Sequence, residues 1–458
     1  MQKLFGTDGV RGIAGTELSN ELAYQIGAAF TTCGGAPPLR GNCCKPMLII
    51  GMDTRESSPA LANALAAGMQ SAGASVHLLG VVPTPAVAQL IPALDCQGGA
   101  MISASHNPHE YNGIKLFNAQ GHKLPDELER EIEALVGTTA SVVRDIDDKL
   151  KISERTGASD PTDDYLNHLR ATVPATLAQD LHAQGLQTIA LDCANGSASA
   201  TAPQLFHSLG FTCDILHANP NGTNINAGCG STHVQKLQTY VKAHGSISAG
   251  FAFDGDADRL LAVDEHGNLV DGDKITAICA QQMLHENRLP NSTVAVTVMT
   301  NLGFHDYCNR HGIAREITQV GDRYVLQRMH ERGLALGGEQ SGHIIFREFA
   351  STGDGQLTAL QLLNVMRATG KSLAELAAEV ELYPQVLVNV HADAAAKARL
   401  STDPAITQAI AAAQAQLGKH GRVLVRASGT EPLVRVMLEG RDEAEITQLA
   451  NDIAAAII

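Results

Sequence analysis

Three times along the chain an apolar run of strand length ends in a polar or glycine-bearing turn and then passes into a helix-forming stretch. Met47–Gly51 leads into Asp53-Thr54-Arg55 and an amphipathic segment from Pro59 to about Gly73. Thr188–Leu191 leads into Asp192-Cys193-Ala194-Asn195-Gly196 and a helical pattern to about Leu209, and Thr293–Val298 leads into Thr300-Asn301-Leu302-Gly303 and a helical pattern through about His311. Strand, turn and helix in that order build α/β domains with a mainly parallel sheet, because a parallel neighbour needs a crossover and the crossover is usually a helix. The C-terminal part reads differently. A helical run from about Gly355 to Thr369 gives way to short strands at Gln385–Val390, Arg422–Arg426 and Leu433–Glu439, alternating with helices that end in Ile457-Ile458. The expectation is an α/β protein of four domains: three comparable α/β units and a smaller α+β unit. Expected bounds are 1–155, 156–254, 255–370 and 371–458, and 458 residues exceed what one core of about 100–200 residues holds.

Composition narrows the partners. A net charge of −15 repels nucleic-acid phosphates, and no long Lys/Arg block overrides it, so no nucleic acid is expected. A phosphate-bearing ligand would need positive charge gathered locally, which makes arginines beside glycine turns informative. The nine cysteines (Cys33, Cys43, Cys44, Cys96, Cys193, Cys213, Cys229, Cys279, Cys308) contain no CxxC pair, which argues against a zinc ribbon or a disulfide framework and for a reducing compartment. The start, Met1-Gln2-Lys3-Leu4-Phe5-Gly6, lacks the apolar core of a signal peptide, and no run of about 18 apolar residues occurs. A cytoplasmic protein with no membrane partner is expected.

Four segments carry chemistry. Ser103-Ala104-Ser105-His106-Asn107-Pro108 follows the apolar run Gly98–Ile102, so its serines sit at a strand end, where a hydroxyl can project into a crevice. Ser105 is then a candidate nucleophile or phosphoryl carrier, with His106 and, after Asn112-Gly113-Ile114, Lys115 as base and cation nearby; a polar turn bonded to its own backbone is the other reading. Asp254-Gly255-Asp256-Ala257-Asp258-Arg259 follows the strand-like Ser248–Phe253. Three carboxylates at alternate positions converge on one hard cation only if the loop curls around it, and oxygen ligands suit magnesium or calcium. The same aspartates with Glu265 at the twelfth place imitate a calcium-binding EF-hand loop, but the sixth place is Arg259 instead of glycine and the flanks are strands. Gly337-Gly338-Glu339-Gln340-Ser341-Gly342-His343 offers donors and acceptors on a loop that a ligand can approach closely. Arg426-Ala427-Ser428-Gly429-Thr430-Glu431-Pro432, with Arg435 beyond, has the guanidiniums, hydroxyls and turn amides that wrap a phosphate dianion. Gly6-Thr7-Asp8-Gly9-Val10-Arg11-Gly12 adds a flexible turn with one arginine.

In this order, from Phe5-Gly6-Thr7-Asp8-Gly9 to Arg435, the segments resemble the α-D-phosphohexomutase superfamily, and most closely its bacterial phosphoglucosamine mutase branch. The resemblance covers nearly the whole chain. It implies four domains around a central cleft, three of them related α/β units with mixed, mainly parallel sheets. It further implies that Ser105 is a phosphoserine, that its phosphate with Asp254, Asp256 and Asp258 holds one Mg2+, and that Arg11 and Arg259 contact phosphoryl oxygens. Lys115 becomes a candidate for proton transfer. Glu339, Ser341 and His343 match the sugar-reading loop, and Arg426, Ser428, Gly429, Thr430 and Arg435 match the loop for the phosphate that is not reacting. The implied activity interconverts glucosamine 6-phosphate and glucosamine 1-phosphate, with glucosamine 1,6-bisphosphate as intermediate and primer, for UDP-N-acetylglucosamine synthesis, by a monomer or homodimer acting on a small phosphosugar. Phosphoglucomutase/phosphomannomutase is the alternative within the superfamily. Two places depart from its pattern: Ala257 stands where many members carry glycine, with no loss of metal binding expected, and residues 34–45, with Cys43-Cys44, look like an insertion.

Overall fold

The computed structural model describes residues 4–6, 8–33, 45–137, 160–186, 188–427 and 433–457. The expected insertion falls almost wholly outside them, as does the Cys43-Cys44 pair. The first sheet holds β1 (Val10–Ile13), β2 (Met47–Met52), β3 (Ser75–Val81), β4 (Gly98–Ile102) and β5 (Tyr111–Asn118) in the order β1-β5-β4-β2-β3. The second holds β6 (Thr188–Asp192), β7 (Thr212–Leu216), β8 (Ile247–Phe253), β9 (Leu260–Asp264) and β10 (Leu269–Val270) in the order β10-β9-β8-β6-β7. The third has β11 (Thr293–Thr297), β12 (Ala314–Thr318), β13 (Leu336–Gly338) and β14 (Ile344–Phe346) in the order β12-β11-β13-β14.

One plan underlies all three. The first strand (β2, β6, β11) lies between the second and the third and parallel to both, and the third turns back through a short loop into an antiparallel fourth (β5, β9, β14). The internal repeat, too weak to read residue by residue, is explicit in the topology. Its middle strands are covered on both faces, which is why they read as unbroken apolar runs: every residue of β4, β8 and β11 is buried.

One expected bound needs correction. Phe253 pairs with Leu260 across a hairpin, and β10 carries the second sheet to Val270, so a division between 254 and 255 cuts through a turn. The acidic segment is the bend of that hairpin.

The fourth sheet is antiparallel, with β15 (Gln385–His391), β16 (Arg422–Ala427) and β17 (Leu433–Glu439) in the order β15-β17-β16. The chain divides into two compact units. One holds the three α/β sheets, and the other holds this sheet together with helix Leu302–His311. Among the described residues no helix is long and apolar enough to cross a membrane.

Candidate functional site

The serine, aspartate and glycine-rich segments occupy the same place in the repeated plan. Each is the loop from third to fourth strand: β4 to β5, β8 to β9 and β13 to β14. Each also contains a residue in the left-handed region, Ser105 at φ 51°, Ala257 at φ 56° and Gly342 at φ 92°, which bends the loop back over its own strand ends. Only glycine fits at 342, where a Cβ would stand 2.2 Å from the Leu260 carbonyl oxygen.

Ser105 is fully buried, and its turn is held from outside. The Arg55 guanidinium, itself buried and paired with Asp53 at 2.9 Å, donates to the carbonyls of Ser105 at 3.0 Å, Asn107 at 2.9 Å and Tyr111 at 2.9 Å, and also to that of Pro108. Asn226 Nδ2, from the second sheet's loops, donates to the Ser105 carbonyl at 2.9 Å. Ser103 Oγ donates to Asp53 at 2.7 Å and accepts the Ser105 amide at 2.9 Å. The Ser105 hydroxyl donates to Asp254 Oδ2 at 2.6 Å, with His106 Nδ1 at 3.3 Å. Burial pushes the His106 imidazole down to about 4, and the Arg259 and Arg11 cations add to this, so the ring is neutral near pH 7.

Asp254, Asp256 and Asp258 are buried, and one oxygen of each lies within 4.8 Å of the others. Burial, then the charges of Asp258 and Asp256, raise the Asp254 carboxyl well above its ordinary range. Asp256 Oδ2 accepts from Lys115 at 2.7 Å and Thr84 at 2.6 Å, whereas Asp256 Oδ1 and Asp258 Oδ1 are buried with no hydrogen-bond partner among the described residues. Orphaned carboxylate oxygens converging beside a serine hydroxyl fit a hard divalent cation. Lys115 Nζ also faces Asp8 at 3.1 Å and Asp258 at 3.6 Å. Burial opposes its charge, but these carboxylates outweigh burial and hold it well above the usual lysine range, as an ammonium. Arg11 donates to Asp8, and Arg259 lies 3.8 Å from Asp258; both Nε atoms are buried without a hydrogen-bond partner among the described residues.

In the third loop Glu339 Oε1 accepts the Gly321 amide at 3.1 Å, and Ser341 is exposed. His343 Nδ1 lies 3.6 Å from Asp258 and Nε2 3.7 Å from Asp322. Burial works against a charge on this ring and the two carboxylates favour one, raising its pKa; the Gly353 amide, which donates to Nε2 at 2.9 Å, decides for a neutral ring with its proton on Nδ1. Lys123 bonds to both Asp322 and Asp8, and Lys115 links Asp8 to Asp258, so a string of charges runs Asp258, Lys115, Asp8, Lys123, Asp322, with the neutral His343 ring beside its two ends. The loops of three sheets are joined by it.

In the second unit Arg426 and Arg435 are direct cross-strand partners on β16 and β17. Burial, then Arg435, lowers the Arg426 pKa. Like charges set opposite each other cost stability, which an anion bound between them would relieve. Ser428, Gly429 and Thr430 lie outside the described residues.

Ser105, the three aspartates, Lys115 and His343 therefore come together, and Arg11 and Arg259 both bear on His106. Sequence reasoning missed Asp8, Thr84, Lys123, Asn226 and Asp322, each of which acts through a partner more than 90 positions away. Arg55 was within reach, since Asp53-Thr54-Arg55 directly follows β2, at the carboxyl end of a parallel strand where sites form.

Comparison with known proteins agrees with this layout. Models of the phosphoglucomutase/phosphomannomutase family match residues 2–142 (alpha/beta/alpha domain I), 163–267 (domain II), 271–383 (domain III) and 387–456 (the C-terminal domain). A phosphoglucosamine mutase of Caldicellulosiruptor saccharolyticus is 46% identical over 461 residues, covering 100% of this chain and 99% of the relative. One of Desulforudis audaxviator is 49% identical over 457 residues, covering 100% and 98%. Among solved structures, Aspergillus fumigatus N-acetylphosphoglucosamine mutase in complex with GlcNAc-6P and magnesium superposes with a TM-score of 0.64 at 20% identity, covering 99% of this chain and 95% of that one.

Proposed function

The chain belongs to the phosphoglucomutase/phosphomannomutase family, and from that premise we propose that it is a phosphoglucosamine mutase working through a phosphoserine at Ser105. The observation that carries the reading is the Ser105 hydroxyl at 2.6 Å from a buried carboxylate triad with orphaned oxygens. The full-length relatives at 46% and 49% identity support the amino sugar over glucose or mannose phosphates.

In this reading phospho-Ser105 gives its phosphoryl group to the free hydroxyl of glucosamine 6-phosphate. The resulting 1,6-bisphosphate turns end for end and returns its 6-phosphoryl group to Ser105, leaving glucosamine 1-phosphate. Phosphoryl transfer spreads negative charge over the moving group, so the protein's work is to position it and to neutralise it. Arg55 and Asn226 fix the carbonyls of the serine turn and thereby aim the hydroxyl. Arg11 and Arg259 offer unpartnered Nε–H groups to phosphoryl oxygens. Lys115, held as an ammonium, can give a proton to an oxygen that leaves but cannot take one in that state. Glu339, Ser341 and His343 read sugar hydroxyls, while Arg426 and Arg435, with Ser428, Gly429 and Thr430, take a phosphate dianion. Asp254, Asp256, Asp258 and the serine phosphate would hold one Mg2+, which when bound offsets charge on the phosphoryl group.

Two measurements test the proposal. Peptide mass spectra of the purified protein should place one phosphate on Ser105, and initial rates with a bisphosphate primer should favour glucosamine phosphate. An unmodified Ser105 in an active enzyme would remove the covalent route, and faster turnover of glucose or mannose phosphate would reassign the substrate.

A further inference from the structure

The second sheet carries another set of ligand-type side chains, none of which the mutase reading uses. Asp192 ends β6, His217 follows β7 directly, and Cys229 lies in the loop before helix Gln235–Ala243. One ligand atom of each lies within 4.8 Å of the other two. Asp192 and Cys229 are fully buried, and the His217 side chain is 26% exposed.

His217 and Asp192 stand at contact distance without a hydrogen bond between them. His217 Nδ1 lies 3.0 Å from Asp192 Oδ1, yet it is buried and makes no hydrogen bond among the described residues. Two ligands of one tetrahedral zinc ion, each bound at about 2.0–2.1 Å, lie roughly 3.3 Å apart, close to what is seen. We propose that Asp192, His217 and Cys229 form a structural site for a borderline-soft divalent cation of the zinc type, with water from the open His217 side as fourth ligand.

The surroundings are those of a prepared site. Asp192 is oriented by the amides of Ala194 on Oδ1 and Gly230 on Oδ2, each at 3.0 Å. Asn195 Nδ2 points at Cys229 Sγ at 3.9 Å, a donor suited to a thiolate, and the Asn195 amide donates to the His217 carbonyl at 2.6 Å. Such outer partners set ligand direction in metal centres. Gly230 leaves no room for change, since a Cβ there would lie 2.5 Å from the Phe253 carbonyl oxygen and 2.6 Å from the Ala194 methyl. Burial, then Asp192, pushes the Cys229 thiol up to about 11, so loading the ion at neutral pH would release the thiol proton. Thiolate with imidazole selects zinc-like ions and rejects magnesium, which separates this centre from the acidic hairpin turn.

The site also has a place in the architecture. The Asn195 carbonyl accepts Thr54 Oγ1 at 2.6 Å, beside Arg55, and Asn226, three residues before Cys229, holds the Ser105 carbonyl. An ion here would fasten the loops that hold the serine turn.

Cobalt titration of the chelator-treated full chain tests the assignment. Adding Co2+ alone should raise a thiolate-to-cobalt charge-transfer band in the near ultraviolet that saturates at one equivalent, and Zn2+ but not Mg2+ should displace it. Cys229→Ser should abolish the band, and Asp254→Asn should leave it intact. His217→Gln, at a partly exposed position, should weaken cobalt binding at least about tenfold. Absence of the band, its survival in Cys229→Ser, cobalt affinity unchanged in His217→Gln, or its displacement by Mg2+ would each overturn the site.

Discussion

The serine turn after β4 and the aspartate turn after β8 stand at equivalent places in two copies of one plan, yet they are held by opposite means. The first is clamped: five donor contacts from Arg55 and Asn226 reach the carbonyls of Ser105, Asn107 and Tyr111, counting only those with ordinary hydrogen-bond distances. The second is loaded: three buried carboxylates face one another, with two oxygens unpartnered. A clamp lowers the energy of the folded chain by itself, whereas like charges raise it until a cation arrives. One turn is built to stay, the other to receive.

Substitutions can break that contrast. The largest effect is expected for Ser105→Ala, which removes the phosphoryl carrier without touching the clamp on its carbonyls. Turnover should fall at least about 10⁴-fold with thermal stability unchanged, read by coupled assay and calorimetry; retained turnover would mean that the clamp aims at nothing.

Asp254→Asn should cut turnover about 10²–10³-fold, the scale expected when one charge-stabilising group is lost. Its effect on stability should have the opposite sign. A carboxyl with a raised pKa in the fold binds its proton more tightly there than in the unfolded chain, so ionising it costs stability as pH rises from the ordinary carboxylate range through the raised value. At pH 7 without magnesium the variant should therefore melt no lower than the wild type, and magnesium should raise the melting point of the wild type alone. A variant that melts well below wild type without magnesium would show that the aspartate turn is held as the serine turn is.

Arg55→Lys sharpens the clamped side. It keeps the charge but loses the planar fork that reaches four carbonyls, so both stability and kcat should drop, the latter about 10–100-fold, with KM little changed. A change in KM alone would place Arg55 in binding instead of positioning. The smallest effect belongs to Ala257→Gly. Ala257 sits at φ 56°, where a Cβ costs energy, so glycine should gain about 0.5–1 kcal/mol in chemical unfolding without loss of magnesium response.

The same residue shows how far the sequence could be read. That alanine replaces a common glycine was visible, but the reason, a left-handed backbone, was not, because φ does not show in side-chain identity. The strand-turn-helix order gave the α/β class and the three units, since apolar periodicity is local. The third-to-fourth strand hairpins were not legible, and the bound at 254 fell inside one of them. Ser105 and the aspartates stood out by residue type on short turns, and Lys115 by following the serine turn closely in the chain. Asp8, Lys123 and Asp322 did not, because a single acid or base shows its use only when the fold brings its partner to it.

The string of charges Asp258, Lys115, Asp8, Lys123 and Asp322 bears on how this protein can diverge. Its interior members, Lys115, Asp8 and Lys123, each serve two neighbours, so losing one leaves an uncompensated charge in a largely buried setting, which costs far more than at the exposed pairs elsewhere on the surface. Drift at these positions must therefore proceed by paired replacement, and Lys123 with Asp322 is the pair to watch, since neither belongs to the serine or aspartate turns. In a set of diverging descendants these two should change together or not at all, as the two halves of one inherited unit.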